Sequence, residues 1–318
     1  MKFIIKKMRI FLLIITFLLS FESLTASATD SSNPVNRFSF ELQGNFIIIK
    51  AILNGSTTDT ANFLFDTGAT TTVIDSAFLA KSKIKTKLKK SLAITASGLT
   101  KISNAKIKSL SINNINVFKK GGSLSVIDLS KFESLNIVGI IGYDILCRYI
   151  VSVDFNDKIM QWHSFDETPS TSDYERFNFE LSSFIPIPKF PIKILTESNE
   201  QFTGDVLFDT GADLSLLLNQ SFIDENGLST KLVPIAEQND TARSLNNAPL
   251  ILRSARISNL SLGNFEFKEL TIRLPSDNKK SFSVPNFIGI LGLEIIRKTN
   301  FIIDYNKKSL YLKQRLNL

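Results

Sequence analysis

The sequence of this chain is written twice, and that constrains its fold more than any other feature. RFSFEL at 37–42 returns as RFNFEL at 176–181, and NFLFDTGATTTVID at 62–75 aligns with DVLFDTGADLSLLL at 205–218. The order then continues: AKIKSLSI at 105–112 with ARISNLSL at 255–262, GIIGYDI at 139–145 with GILGLEI at 289–295, and VDFNDKIM at 153–160 with IDYNKKSL at 303–310. The spacing between equivalents widens from 139 residues at Arg37/Arg176 to 143 at Asp66/Asp209 and 150 at Gly139/Gly289, as expected of a duplicated unit that has gained loop residues. Two homologous halves are predicted, 36–163 and 176–318. The polar, acidic stretch SFDETPSTSDYE at 164–175 reads as the exposed linker between them.

Within each half, runs of β-branched and aromatic residues alternate with Asn, Gly, Ser and Lys clusters, the signature of short strands. NFIIIKAIL, ANFLFD and YIVSVDF in the first half, and PIKIL, DVLFD and NFIIDY in the second, predict an all-β chain with only short helices. Helices are expected at 74–81 and 221–226, after each FDTGA, and at 143–148 and 293–297, after each Gly-Ile-x-Gly. Turn residues at 155–158 and 305–308 close a hairpin in each copy.

The first 28 residues begin basic (Lys2, Lys6, Lys7, Arg9), continue apolar from Ile10 to Phe21 and end in Ala26-Ser27-Ala28, the layout of a secretory signal cleaved after Ala28. The apolar run is shorter than the ~20 residues of a spanning helix; an uncleaved membrane anchor is the alternative. The expected location is periplasmic or secreted. Removing the leader's four basic residues and Glu22 takes the net charge from +7 to +4, too mild to imply a nucleic-acid partner. The alternating lysines of KSKIKTKLKK at 81–90 read as a solvated face of an extended segment that discourages edge pairing. Cys147 is the single cysteine, so no intramolecular disulfide is available and stability must come from burial. His163, the single histidine, reads as a packing or linker residue. No metal-ligand cluster and no phosphate loop is visible, and no cofactor is expected.

An apolar strand running into Asp-Thr-Gly places a carboxylate where the strand leaves the core. A lone copy reads best as a strand-ending turn. Two copies in homologous halves read differently: packed about a pseudo-twofold axis, Asp66 and Asp209 meet face to face. Two carboxylates about 3 Å apart share one proton. The ionised member can take a proton from an attacking water while the protonated member hydrogen-bonds the carbonyl under attack.

On these residues the chain resembles the retropepsin-like aspartic proteases, in particular bacterial exported relatives with two lobes in tandem. The resemblance implies two homologous acid-protease lobes forming a pseudo-twofold single-chain dimer, and an endopeptidase acting on an extended polypeptide without metal. Asp66 and Asp209 correspond to the catalytic pair. Thr67 and Thr210 correspond to threonines that hydrogen-bond across the lobe interface, within loops completed by Gly68, Ala69, Gly211 and Ala212. Ile140-Ile141-Gly142 and Ile290-Leu291-Gly292 match the apolar-Gly segments that buttress those loops. A covering flap is expected near Ala96-Ser97-Gly98, with 236–248 as its weaker counterpart; neither carries the aromatic tip of pepsin-like enzymes. Ala69 and Ala212 stand where those enzymes have a hydroxyl donor to the carboxylate, so activity extending towards neutral pH is expected. Two alternatives stay open: the same chemistry only in an intermolecular dimer, or a non-catalytic peptide-binding protein of this fold.

Overall fold

In the computed structural model the described residues are 36–53, 60–82, 84–95, 98–118, 121–182, 185–235, 240–243, 249–276 and 286–315. The expected leader, 1–28, lies outside them. The chain is mainly β with short helices, as its residue pattern predicts.

Among the described residues the strands form three sheets, and the repeat explains their division. A ten-stranded sheet draws only on strands between Glu41 and Ile141, and an eight-stranded sheet only on strands between Lys189 and Leu291. The third sheet, of six strands, takes three from each half. Its order is Asn36–Ser39, Ile159–His163, Ile150–Asp154, Thr299–Asp304, Ser309–Gln314, Glu175–Asn178. The RFSFEL and RFNFEL segments that open the two copies thus supply its two outer strands. The expected turns close its hairpins, with Lys158 and Lys308 both at positive φ (55° and 49°). Residues 164–174, between the halves, lie outside helices and strands.

The central pair of this sheet is antiparallel and joins the halves through main-chain hydrogen bonds, with Val151 opposite Ile303 and Val153 opposite Phe301. All four of these side chains are buried. Alternation along a strand turns them to one face and Ser152 and Asp154 to the other. One continuous apolar cluster runs through both halves and includes Phe63, Phe65, Val151, Phe155, Phe208, Phe301 and Ile303. Phe208 packs edge-on against Phe301 at 5.3 Å, and Phe155 lies 6.1 Å from the same ring.

The four expected helices form over Ser76–Lys81, Tyr143–Leu146, Gln220–Glu225 and Leu293–Ile296. The lysine run departs from a single extended segment: Lys81 ends the first helix, where its charge suits the helix C-terminus, and the strand begins only at Leu88. Lys85, Lys87 and Lys89 are exposed as expected.

Candidate active site

Two strands of nearly the same sequence deliver the two aspartates. Thr60–Phe65 runs parallel to Ile137–Ile141, with Phe63, Leu64 and Phe65 opposite Gly139, Ile140 and Ile141. Gln201–Phe208 runs parallel to Gly289–Leu291, with Val206, Leu207 and Phe208 opposite Gly289, Ile290 and Leu291. These registers are the same in the numbering of the repeat. One residue on, Asp66 N donates to Ile141 O (3.1 Å) and Asp209 N to Leu291 O (3.0 Å). The apolar-Gly segments therefore fix where each aspartate leaves its sheet.

Gly142 and Gly292 continue the support. Tyr143 N donates to Ala69 O (2.8 Å) and Leu293 N to Ala212 O (2.9 Å), which brings each glycine against the neighbouring loop. A Cβ on Gly142 would meet Ala69 O and the Thr71 backbone; on Gly292 it would meet the carbonyls of Ala212 and Leu214.

The two loops are crossed through their threonines, both fully buried. Thr67 Oγ1 donates to Phe208 O (2.7 Å) and accepts from Thr210 N (3.0 Å). Thr210 Oγ1 donates to Phe65 O (3.0 Å) and accepts from Thr67 N (3.0 Å). Each hydroxyl satisfies a carbonyl at the end of the opposite strand and an amide of the opposite loop, so neither loop can move without breaking bonds to the other.

That crossing sets Asp66 and Asp209 side by side, with their carboxyl groups hydrogen-bonded to each other. Each Oδ1 also accepts the amide two residues on, from Gly68 (2.8 Å) and Gly211 (2.8 Å). The glycines do more than ease the turn. A Cβ on Gly68 would overlap the Asp209 carboxyl group, and one on Gly211 would overlap that of Asp66. Each glycine leaves the space that the other half's carboxyl group occupies.

Desolvation, above all, pushes both carboxyl groups up from the ordinary carboxylate range. Asp209 is pushed further, because the negative charge of Asp66 lies beside it and through the hydrogen bond between the two side chains. Asp66 is also raised, with the bond to Asp209 and the amides of Gly68 and Ala69 opposing the desolvation. Two buried carboxyl groups in contact titrate as a coupled pair rather than as independent acids.

The remaining expected site residues fall as follows. Leu88–Thr95 and Gly98–Ile107 form an antiparallel hairpin with Thr95 opposite Gly98, so the flap segment is a hairpin; its expected tip residues Ala96 and Ser97 lie outside the described residues. In the second copy Asp240–Arg243 pairs with the strand Pro249–Leu262, while 236–239 and 244–248 lie outside the described residues. Cys147 is half-buried, and burial pushes its thiol up, away from nucleophilic reactivity. His163 is buried 3.3 Å from Ser152 Oγ.

Three site features escaped the reading of the residues. Thr72 Oγ1 donates to Asp144 Oδ1 (2.7 Å) and accepts from Gly142 N (3.1 Å), tying the Asp66 loop to the helix behind it. Asn45 Nδ2 donates to Asp213 Oδ1 (2.5 Å), a further hydrogen bond between the halves. Lys131 lies within electrostatic reach of both Asp66 and Asp209. The repeat was the available signal for Thr72 and Asp144, whose aligned positions hold Ser215 and Glu294. Nothing in the sequence pointed to Asn45 or Lys131.

Residues 49–145 match the model of a protein family described as aspartyl protease. The matched stretch contains Asp66, Thr67, Gly68, Ala69 and Ile140-Ile141-Gly142, and it supports a peptidase, hence a hydrolase, at the level of the family. No curated protein matches the chain.

Proposed function

We propose that the chain is an exported aspartic endopeptidase in which water activated between Asp66 and Asp209 hydrolyses a peptide bond. The observation that carries this reading is the contact of two carboxyl groups from the two copies of FDTGA, locked by the crossed Thr67 and Thr210 hydrogen bonds. The Asp66 carboxylate takes a proton from the water as its oxygen bonds to the carbonyl carbon. Asp209 gives its proton to the carbonyl oxygen, forming a tetrahedral diol. Collapse of the diol, with a proton passed to the departing nitrogen, breaks the C–N bond and returns the pair to its one-proton state. No metal or cofactor enters the cycle.

The substrate is an extended polypeptide lying between two lobes, 36–163 and 176–318. Because the carboxyl groups meet within one chain, the reaction needs no second copy, and a monomer is the proposed working form. Export rests on the leader at 1–28. Backbone amides serve both carboxyl groups, and alanine follows each glycine, so activity is proposed to extend from acid towards neutral pH. The test is cleavage of a random peptide library by the wild type, Asp66→Asn and Asp209→Asn between about pH 3 and pH 8. Each substitution should abolish cleavage. Cleavage that survives both removes the pair from the chemistry, and a wild type inert across this range is a peptide-binding protein instead.

A further inference from the structure

The charge of the chain is concentrated in one stretch of the first copy. Between Asp75 and Asp128 there are eleven lysines and no arginine, aspartate or glutamate, which leaves −4 for the remainder of a chain whose net charge is +7. The corresponding stretch of the second copy, 219–274, has six acidic and six basic residues, four of the latter arginine. In the first copy the stretch forms the hairpin Leu88–Thr95 and Gly98–Ile107, extended by the strand Gly122–Ile127, at one end of the ten-stranded sheet. Lys85, Lys87, Lys89, Lys90 and Lys106 are exposed. Lys106 stands opposite Ser123, also exposed, while their neighbours Ala105 and Leu124, opposite each other, are buried. Alternation therefore turns Lys106 and Ser123 to the outer face, and sets Lys89, opposite Asn104, on the same face.

We propose that this face docks the chain on an anionic phospholipid bilayer. Protection of a sheet edge accounts for lysines on Leu88–Thr95, the outermost strand, but not for Lys106, whose strand lies between two others. Lysine without arginine suits a diffuse field at a layer of phosphates better than paired recognition of carboxylates, for which the arginine fork is the better donor. Leu88, between Lys87 and Lys89, is an exposed apolar side chain of the kind that the headgroup boundary accepts. Beside Lys106 an open depression of about 530 Å³, bordered by Lys106, Lys108, Gly121 and Ser123, has room for a phosphodiester headgroup.

The docking itself does not rest on the endopeptidase reading. Its place in the fold is nonetheless close in topology to the candidate site. The strand Gly122–Ile127 runs parallel to Val73–Asp75, with Val126 opposite Ile74, and Val73–Asp75 is the strand that follows the Asp66 loop. If the chain is a peptidase, docking concentrates it where membrane-bound polypeptides are.

The experiment measures co-sedimentation of the mature chain, from Thr29, with vesicles of phosphatidylcholine alone and of phosphatidylcholine mixed with phosphatidylglycerol, at low and at high salt. Binding should require the anionic lipid and weaken as salt rises. The combined variant Lys87→Gln, Lys89→Gln, Lys106→Gln should lower the partition coefficient about 100-fold, and arginine at the same three positions should restore it. Lys158→Gln, Lys307→Gln, Lys308→Gln removes equal charge from exposed turns of the six-stranded sheet and should stay near wild type. No preference for the anionic vesicles overturns the proposal. So does an equal loss in the two glutamine variants, which would mark net charge alone. Polyglutamate that displaces the chain from the vesicles at equal charge concentration assigns the face to an acidic polypeptide, and overturns it as well. Vesicle binding is read without turnover, so a wild type that binds but cleaves no peptide refutes the endopeptidase reading and leaves the docking standing.

Discussion

Ser152 and Ile302 face each other across the two strands that join the halves, and they are the same position of the repeat, 150 residues apart. An antiparallel pair in which equivalent positions oppose each other has a twofold axis between them. The register follows this throughout, since Val151 opposite Ile303 and Val153 opposite Phe301 exchange when the halves are swapped. The joint is self-complementary.

A fragment comprising 36–163 should therefore dimerise. Alone, it exposes the edge Ile150–Asp154 together with the apolar Val151 and Val153, and a second copy offers a partner in matching register. Sedimentation should find a dimer that dissociates on dilution. A well-folded fragment that stays monomeric at high concentration would contradict the symmetric joint.

Thr67→Val removes a hydroxyl that serves two buried groups, Phe208 O and Thr210 N. The isosteric side chain leaves packing nearly unchanged, so the loss is that of the hydrogen bonds, about 1–3 kcal/mol for each buried group left unpaired. Urea unfolding should show this destabilisation, with Thr210→Val similar and Thr67→Ser close to wild type. Equal stability of Thr67→Val and wild type would mean that the crossed bonds do not hold the loops.

Asp209→Asn should stabilise the fold at neutral pH. The folded state raises the Asp209 carboxyl well above its unfolded value of about 4, so the folded state binds more protons through that window and stability falls as pH rises through it. An amide at 209 cannot ionise and escapes that loss. Chemical denaturation as a function of pH should show the variant ahead of wild type near neutrality, with the difference closing as pH falls to about 4. A difference that stays constant with pH would argue against a buried, proton-sharing pair.

His163 predicts a loss of stability in mild acid. It is 4% exposed, and burial lowers its tendency to protonate. Its unfolded value is about 6.5, so as pH falls below that point the unfolded state gains a proton before the folded one, and stability declines. His163→Gln should flatten this slope between about pH 6.5 and pH 5. Thermal melts with the same slope in both proteins would exclude His163 as its source.

Much of the fold was legible because the strand signals are local and occur twice. Phe63-Leu64-Phe65 before Asp66 and Val206-Leu207-Phe208 before Asp209 read as strands entering a turn, and the structure places both as edges of one centre. The flanking Gly-Ile-x-Gly segments were legible for the same reason. The six-stranded sheet was not. Its central pairing joins residues about 150 apart, and an apolar strand such as Ile150–Asp154 carries no mark of which distant strand it will meet.

What the sequence determined by itself is the duplication, the β-rich character of each copy and the identity of the two paired aspartates, since composition, period and repetition are properties of the chain alone. Tertiary structure decided the rest. It decided that Gly68 and Gly211 each leave space for the opposite half's carboxyl group and that Thr67 and Thr210 exchange bonds. Each of these depends on distances between residues far apart in the chain, which exist only once the buried strands of the two halves have been brought into register.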